Sequence, residues 1–171
     1  MYYVFYEEEQ KFTNKWLWLL LSGTSIVFVY MIFEQIVLHK TIGNNPAPDS
    51  IVLLMGLIPL MVMYLFYRIL LKTRIDTDGI HYQLFPFHYK EKNISWDEID
   101  KIYVRKYRPI MEYGGWGYRI KFNRKDVAFN ISGNMGLQIE LKNGKKILIG
   151  TQNPIDINKA IEQMNSKHYP S

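Results

Sequence analysis

Hydrophobic and polar positions divide the chain into two regimes. Residues 16–33 and 51–67 are uncharged and almost wholly apolar, and each approaches the roughly 20 residues a helix needs to cross a hydrocarbon core. Beyond residue 72 the pattern turns to short alternating runs separated by turn signals about every ten residues, as in an antiparallel sheet. The sequence therefore predicts a membrane hairpin, residues 1–72, followed by one small domain, residues 73–171.

The first span is expected over about 16–38. Trp16 and Trp18 open it as interfacial aromatics would, with Lys11 and Lys15 just outside. Glu34 lies four residues before Leu38, about 6 Å of helical rise from the surface. It reads as a boundary carboxylate reaching for water, with an intramembrane relay as the alternative. The second span, about 51–71, follows the capping residues Asp49 and Ser50 and is marked at its exit by Arg68, Lys72 and Arg74. Pro59 within it reads as a bend supported by the partner helix. Between the spans, Gly43, Asn44, Asn45, Pro46 and Pro48 make a short reversal. Lys and Arg gather outside the hairpin, with Lys40 alone in the reversal, so both termini of a two-span cell-membrane protein are expected in the cytoplasm. Glu7, Glu8 and Glu9 in place of a basic start argue against a cleaved leader.

Seven short strands are expected in the second domain. Residues 73–77 and 80–85 flank the tight-turn pair Asp78-Gly79. Pro86 ends the second strand, residues 88–92 form a polar connection, and residues 95–99 make a capped turn into a strand over 101–107. On that strand Ile102 and Val104 face a core, while Lys101, Tyr103, Arg105 and Tyr107 form an aromatic, basic face. Tyr118, Ile120 and Phe122 alternate with Arg119 and Lys121, and a polar turn at 123–126 leads to Val127, Phe129 and Ile131. Residues 137–141 and 146–150 are joined at Asn143-Gly144. Pro154 and Asp156 then start a helix whose stripe is Ile157, Ala160, Ile161 and Met164. The expected architecture is an α-helical transmembrane hairpin plus a small α+β domain, a strongly bent antiparallel sheet closed by the C-terminal helix.

Charge refines this picture. Residues 72–171 hold 17 Lys and Arg against 11 Asp and Glu, an excess of +6, which suits anionic headgroups near a membrane surface. Tethering at a bilayer makes nucleic acid the poorer partner. Cysteine is absent, so thiol chemistry, disulfides and thiolate metal sites are excluded. The four histidines have no metal-ligand spacing and the serines no nucleophile-elbow context, so neither metal, cofactor nor enzyme is expected.

One loop stands out as a candidate site. Gly114, Gly115 and Gly117 permit backbone conformations in which adjacent N–H groups cradle an anion, and Arg108 and Arg119 flank them. The competing reading is a glycine-kinked loop that lets Trp116 pack on the sheet. Asn130, Asn134 and Thr151 are candidates to converge on the same loop, or else serve bulges and turns.

The segments 107–110, 112–117, 132–134 and 149–152 (YRPI, EYGGWG, SGN and IGTQ) resemble recurrent segments of a small bacterial family of pleckstrin-homology-like (PH-like) membrane proteins with this layout. The resemblance covers about residues 10–165. It implies a PH-like fold and a membrane location, and no reaction. In phosphoinositide-binding PH domains Lys and Arg surround the first hairpin. Here that turn is Asp76-Thr77-Asp78-Gly79, so an inositol phosphate is not expected there. The leading expectation is a non-enzymatic membrane protein that binds a protein partner or anionic headgroups. The alternatives are a structural subunit or homo-oligomer packed through Ser22, Gly23, Ser25 or Gly56, and a small transporter or enzyme.

Overall fold

A computed structural model describes residues 3–40, 43, 45–121 and 126–168. The chain divides into two compact units, one comprising Met1–Phe12 with Ile69–Ser171 and the other Thr13–Arg68.

The helical unit holds α1 (Lys15–Ile32), a π-helical turn (Phe33–Val37) and α2 (Asp49–Arg68). Asn14 caps α1 by accepting from the N–H groups of Trp16 and Leu17 at 3.0 and 3.4 Å. Both helices, Lys15–Val37 and Asp49–Arg68, are long and apolar enough to cross a membrane. Ser25 is the one buried residue of α1, and Val52 and Gly56 those of α2, so nearly all of the apolar surface faces outwards. A side chain at Gly56 would collide with Ile32, whereas one at Gly23 would meet nothing within 4 Å. Glu34 sits in the π turn and pairs with Lys40 at 3.5 Å. The Gln35 amide donates to the Ala47 carbonyl and to Asp49, at 2.7 and 2.8 Å, and so ties the reversal together. Asn44 of that reversal lies outside the described residues.

Among the described residues of the globular unit, nine strands replace the expected seven. They are β1 (Val4–Lys11), β2 (Leu70–Asp76), β3 (Gly79–Phe85), β4 (Lys92–Ser95), β5 (Ile99–Lys106), β6 (Gly117–Ile120), β7 (Val127–Asn130), β8 (Met135–Leu141) and β9 (Lys146–Gly150). Two short helices, a 3-10 turn (Trp96–Glu98) and α3 (Pro109–Tyr113), interrupt them, and α4 (Pro154–His168) closes the chain. The strands form two sheets, β1-β2-β3-β4 and β5-β8-β9-β7-β6. The expectation of one antiparallel sheet fails at β7 and β9, which run parallel. Phe122 and the turn assigned to 123–126 are undescribed apart from Asp126, a buried residue.

The N-terminal segment is the larger correction. Residues 4–11 are a strand of the globular unit, paired antiparallel to β2 from Val4↔Asp76 to Lys11↔Leu70. The second apolar run likewise stops being helix at Arg68, and Leu71 is a fully buried residue of β2. The boundary expected at residue 72 is thus replaced by an insertion, in which Thr13–Arg68 interrupts a β-hairpin.

One core lies between the sheets. It combines Leu71, Ile75, Ile80 and Leu84 of the first sheet with Phe129, Leu137, Ile139 and Ile149 of the second, and α4 adds Ile157, Ala160 and Ile161. Alternation along each strand places these residues on one face, and the helical stripe of α4 completes the closure.

Candidate functional site

After Lys106 the chain leaves β5 and folds α3 across the outer face of the second sheet. The local sequence dictates this. Pro109 occupies the start of the helix, where a missing N–H costs nothing, and Glu112 reaches back to accept the Arg108 N–H at 2.7 Å. Gly114, in the left-handed region at φ 73°, ends the helix. Its N–H and that of Gly115 return to the carbonyls of Ile110 and Pro109 at 2.9 and 3.0 Å.

An ion pair pins the helix to the sheet. The Arg105 guanidinium lies 2.9 Å from Glu112, donates to Gln138 at 3.0 Å and to the Tyr113 hydroxyl at 3.4 Å. Burial works to raise the Glu112 pKa, but the donors on Arg105 and the Arg108 N–H outweigh it and hold the carboxyl below its usual range. Burial likewise opposes the charge on Arg105, and Glu112 more than compensates. Beneath α3, Tyr107, Ala128 and Leu148 form a second small core with Tyr113 against it. Burial pushes the Tyr107 hydroxyl up to about 12, partly offset by the neighbouring Asn130 amide. The two groups approach without completing a hydrogen bond, since Tyr107 OH and Asn130 Nδ2 are both buried without a hydrogen-bond partner among the described residues.

The turn after α3 is held just as closely. Trp116 donates its indole N–H to the Gly133 carbonyl at 3.1 Å, and Arg119 Nε donates to the Trp116 carbonyl at 3.0 Å. Asn130 Oδ1 accepts the Gly117 N–H at 2.8 Å. The N–H groups of all three glycines are therefore engaged internally, and the glycines form a turn in place of an anion cradle. Gly115 and Gly117, at φ 126° and 104°, supply conformations that other residues rarely adopt.

What opens to solvent is a cleft beside this turn, about 570 Å³ in volume, lined by Lys106, Arg108, Ile110, Met111, Trp116 and Asn134 among others. Met111 is 76% exposed, Ile110 66% and Trp116 41%. Lys106 and Arg108 have no carboxylate partner among the described residues; the Arg108 guanidinium donates to the Met111 sulfur at 3.8 Å. Of the residues expected here, Arg108, Trp116 and Asn134 line the cleft, Gly114, Gly115, Gly117, Arg119 and Asn130 build the turn behind it, and Thr151 is elsewhere. Sequence reasoning missed Lys106, Ile110 and Met111, although Pro109 and Gly114 bracket a helix in the way that marks starts and stops.

Thr151 belongs to a separate buried cluster. The Glu8 carboxylate of β1 accepts from the Tyr6 hydroxyl at 2.6 Å, from the Thr151 hydroxyl at 2.8 Å and from the Gln152 N–H at 2.8 Å. Burial, with Glu8 adjoining, drives the Tyr6 pKa well upwards. Gln10 adds a 2.7 Å bond to the Gly150 carbonyl. These contacts seat the N-terminal strand on the connection between β9 and α4. At the acidic first turn, the Asp76 carboxylate accepts from the N–H groups of Asp78 and Gly79 and approaches His81 and Arg74, so it organises the hairpin. No group of three or more His, Cys, Asp or Glu side chains able to hold a metal occurs among the described residues.

Comparison with models of known protein families, with curated proteins and with solved structures gives no match.

Proposed function

We propose that this chain is a two-span, non-enzymatic membrane protein whose globular unit captures a partner protein at the α3 cleft. The observation that carries the reading is the cleft's composition. Exposed Trp116, Met111 and Ile110 adjoin two cations without acidic partners among the described residues, Lys106 and Arg108. Trp, Met and Arg are the residue types enriched where proteins bind one another. The complementary partner is an acidic segment carrying an apolar side chain that enters the cleft.

The membrane placement rests on α1 and α2, on the basic residues Lys11, Lys15, Arg68 and Lys72 outside them, and on the single Lys40 between them. The pairing of β1 with β2 supports a topology in which the segments before α1 and after α2 share one side, and the positive-inside bias favours the cytoplasm as that side. A PH-like assignment draws support from two sheets enclosing one core with a C-terminal helix against it. It strains at the five-stranded second sheet with its parallel pair.

The test is a photo-crosslinking residue at position 111 in intact membranes, with exposed Ile155 as the comparison site. A captured protein is then purified and titrated onto the full chain in nanodiscs. Arg108→Glu combined with Trp116→Ala is expected to weaken binding more than tenfold, since central anchors of this type contribute about 2 kcal/mol or more. Equal binding by the variant, or no product specific to position 111, contradicts the proposal. Anionic headgroups are the second reading, favoured by Lys106 and Arg108. It predicts that phosphatidylglycerol nanodiscs, compared with phosphatidylcholine ones, protect position 111 from labelling without any protein partner.

A further inference from the structure

The connection between β3 and β4 carries a surface that the α3 cleft does not use. Its six residues are Pro86, Phe87, His88, Tyr89, Lys90 and Glu91. They are held rigidly: the His88 N–H returns to the Leu84 carbonyl at 2.8 Å, and the Gln83 amide donates to the carbonyls of His88 and Tyr89 at 3.2 and 3.0 Å. Within this frame the side chains differ in exposure. The His88 ring turns inwards against Tyr82, Tyr118 and Phe129. Phe87 and Tyr89 are 54% and 80% exposed, each with one side against a neighbouring ring, Phe87 at 5.9 Å from Tyr118 and Tyr89 at 5.8 Å from Phe85, and the rest open to solvent. A loop tied down by its own backbone that half-buries its histidine and presents two aromatic rings to solvent requires an explanation.

Sheet register says which end of the strands this loop occupies. Lys11 of β1 is opposite Leu70 of β2, and Leu70 is opposite Phe85 of β3. Lys11, Leu70 and Phe85 thus form one row across the sheet, and the loop begins at the next residue. From the same row the chain continues into α1 after three residues, Phe12, Thr13 and Asn14, and arrives from α2 through Ile69 alone. The charge is also suitable. Glu91 is occupied by Arg74 at 3.0 Å, while Lys90 and Lys92 are exposed without a carboxylate partner among the described residues. Aromatic rings beside lysines are the composition of a membrane–water interface, where the rings enter the headgroup region and the ammonium groups meet lipid phosphates.

We infer that the 86–91 loop is a third membrane contact, in which Phe87 and Tyr89 enter the interface of the bilayer that α1 and α2 span while Lys90 and Lys92 meet anionic headgroups. The inference rests on the reading of α1 and α2 as spans.

The chain has no cysteine, so single-cysteine variants can be labelled directly with an environment-sensitive nitrobenzoxadiazole dye. Full-length Phe87→Cys and Tyr89→Cys are reconstituted in phosphatidylcholine–phosphatidylglycerol vesicles, with Leu57→Cys as the mid-helix reference and Ile155→Cys as the solvent reference. Dyes at 87 and 89 should emit to the blue of the dye at 155 and be quenched by lipids nitroxide-labelled near the headgroup. The dye at 57 should be quenched by lipids labelled deep in the acyl chain. A dye at 57 in lipid with dyes at 87 and 89 in water overturns the loop contact alone, as does a blue shift at 87 and 89 that no lipid quencher touches. A dye at 57 that no lipid quencher reaches overturns the spanning reading on which the inference stands.

Discussion

Replacing Glu8 tests whether the N-terminal strand belongs to the globular unit. In Glu8→Ala the part-buried Gln152 N–H loses its acceptor, which costs up to about 1 kcal/mol, the low end of the range for an unsatisfied donor because water can reach it. The Tyr6 and Thr151 hydroxyls also lose bonds to a charged group, each contributing about 1.5–3 kcal/mol. Those two oxygens already lie 3.3 Å apart and can pair with each other, which recovers part of the loss. The balance is a destabilisation of β1 docking by about 3–5 kcal/mol, or between about a hundredfold and a few thousandfold in the opening equilibrium. Glu8→Gln should be milder, about 1–2 kcal/mol. Its oxygen can still accept from Gln152, and both hydroxyls can turn to accept from its amide, so mainly charge assistance is lost. Hydrogen–deuterium exchange of the β1 amides in full-length protein in nanodiscs reads this directly. Exchange within twofold of wild type in Glu8→Ala would refute the reasoning, and so would equal effects of the two substitutions.

Other expectations follow from particular contacts. Joining Phe12 to Ile69 through Asn-Gly, with residues 13–68 removed, should close β1 and β2 as an ordinary hairpin, because Lys11 and Leu70 are already partners; gel filtration without detergent should return a folded monomer. Gly56→Leu should destabilise the helical hairpin by about 1–3 kcal/mol through collision with Ile32, while Gly23→Ala should be tolerated, as read by thermal unfolding of helical circular dichroism in detergent. The folded pKa of Glu112 is depressed, so the stability it contributes is present above its ordinary value of 4.5 and is lost as pH falls through the folded value. The opening equilibrium of α3, read as exchange divided by the intrinsic amide rate at each pH, should therefore be flat between pH 8 and 6 and rise under acid, and Glu112→Gln should remove that acid-dependent rise.

How much was legible beforehand depended on whether the determining contacts were local. The apolar runs, the turns at Asp78-Gly79 and Asn143-Gly144 and the stripe of α4 are set by neighbours in sequence, and the structure contains them. The strand at Val4–Lys11 was not legible. It alternates properly, but its inward residues after Tyr6 are Glu8 and Gln10, whose acceptors and donors lie about 140 residues away. Three consecutive glutamates read as a solvated segment until those partners are known. β4 is four residues long and only Ile94 is buried, too little pattern to register. The parallel pairing of β7 and β9 is a tertiary decision that alternation cannot encode. At the cleft, arginine and glycine drew notice because their chemistry is conspicuous. Yet the glycine N–H groups close a helix end, and the exposed apolar residues Ile110 and Met111 shape the opening.

The central claim is that α1 and α2 carry the chain across a bilayer and back, leaving β1 and the rest of the globular unit on one side. Single cysteines at Glu7, Asn45 and Ile155, all exposed, can be tested with a membrane-impermeant maleimide on intact and lysed bacterial spheroplasts producing the protein. The account predicts that position 45 labels in intact spheroplasts and that positions 7 and 155 label only after lysis. Labelling of 45 and 155 from the same side, or of 7 and 155 from opposite sides, would contradict it.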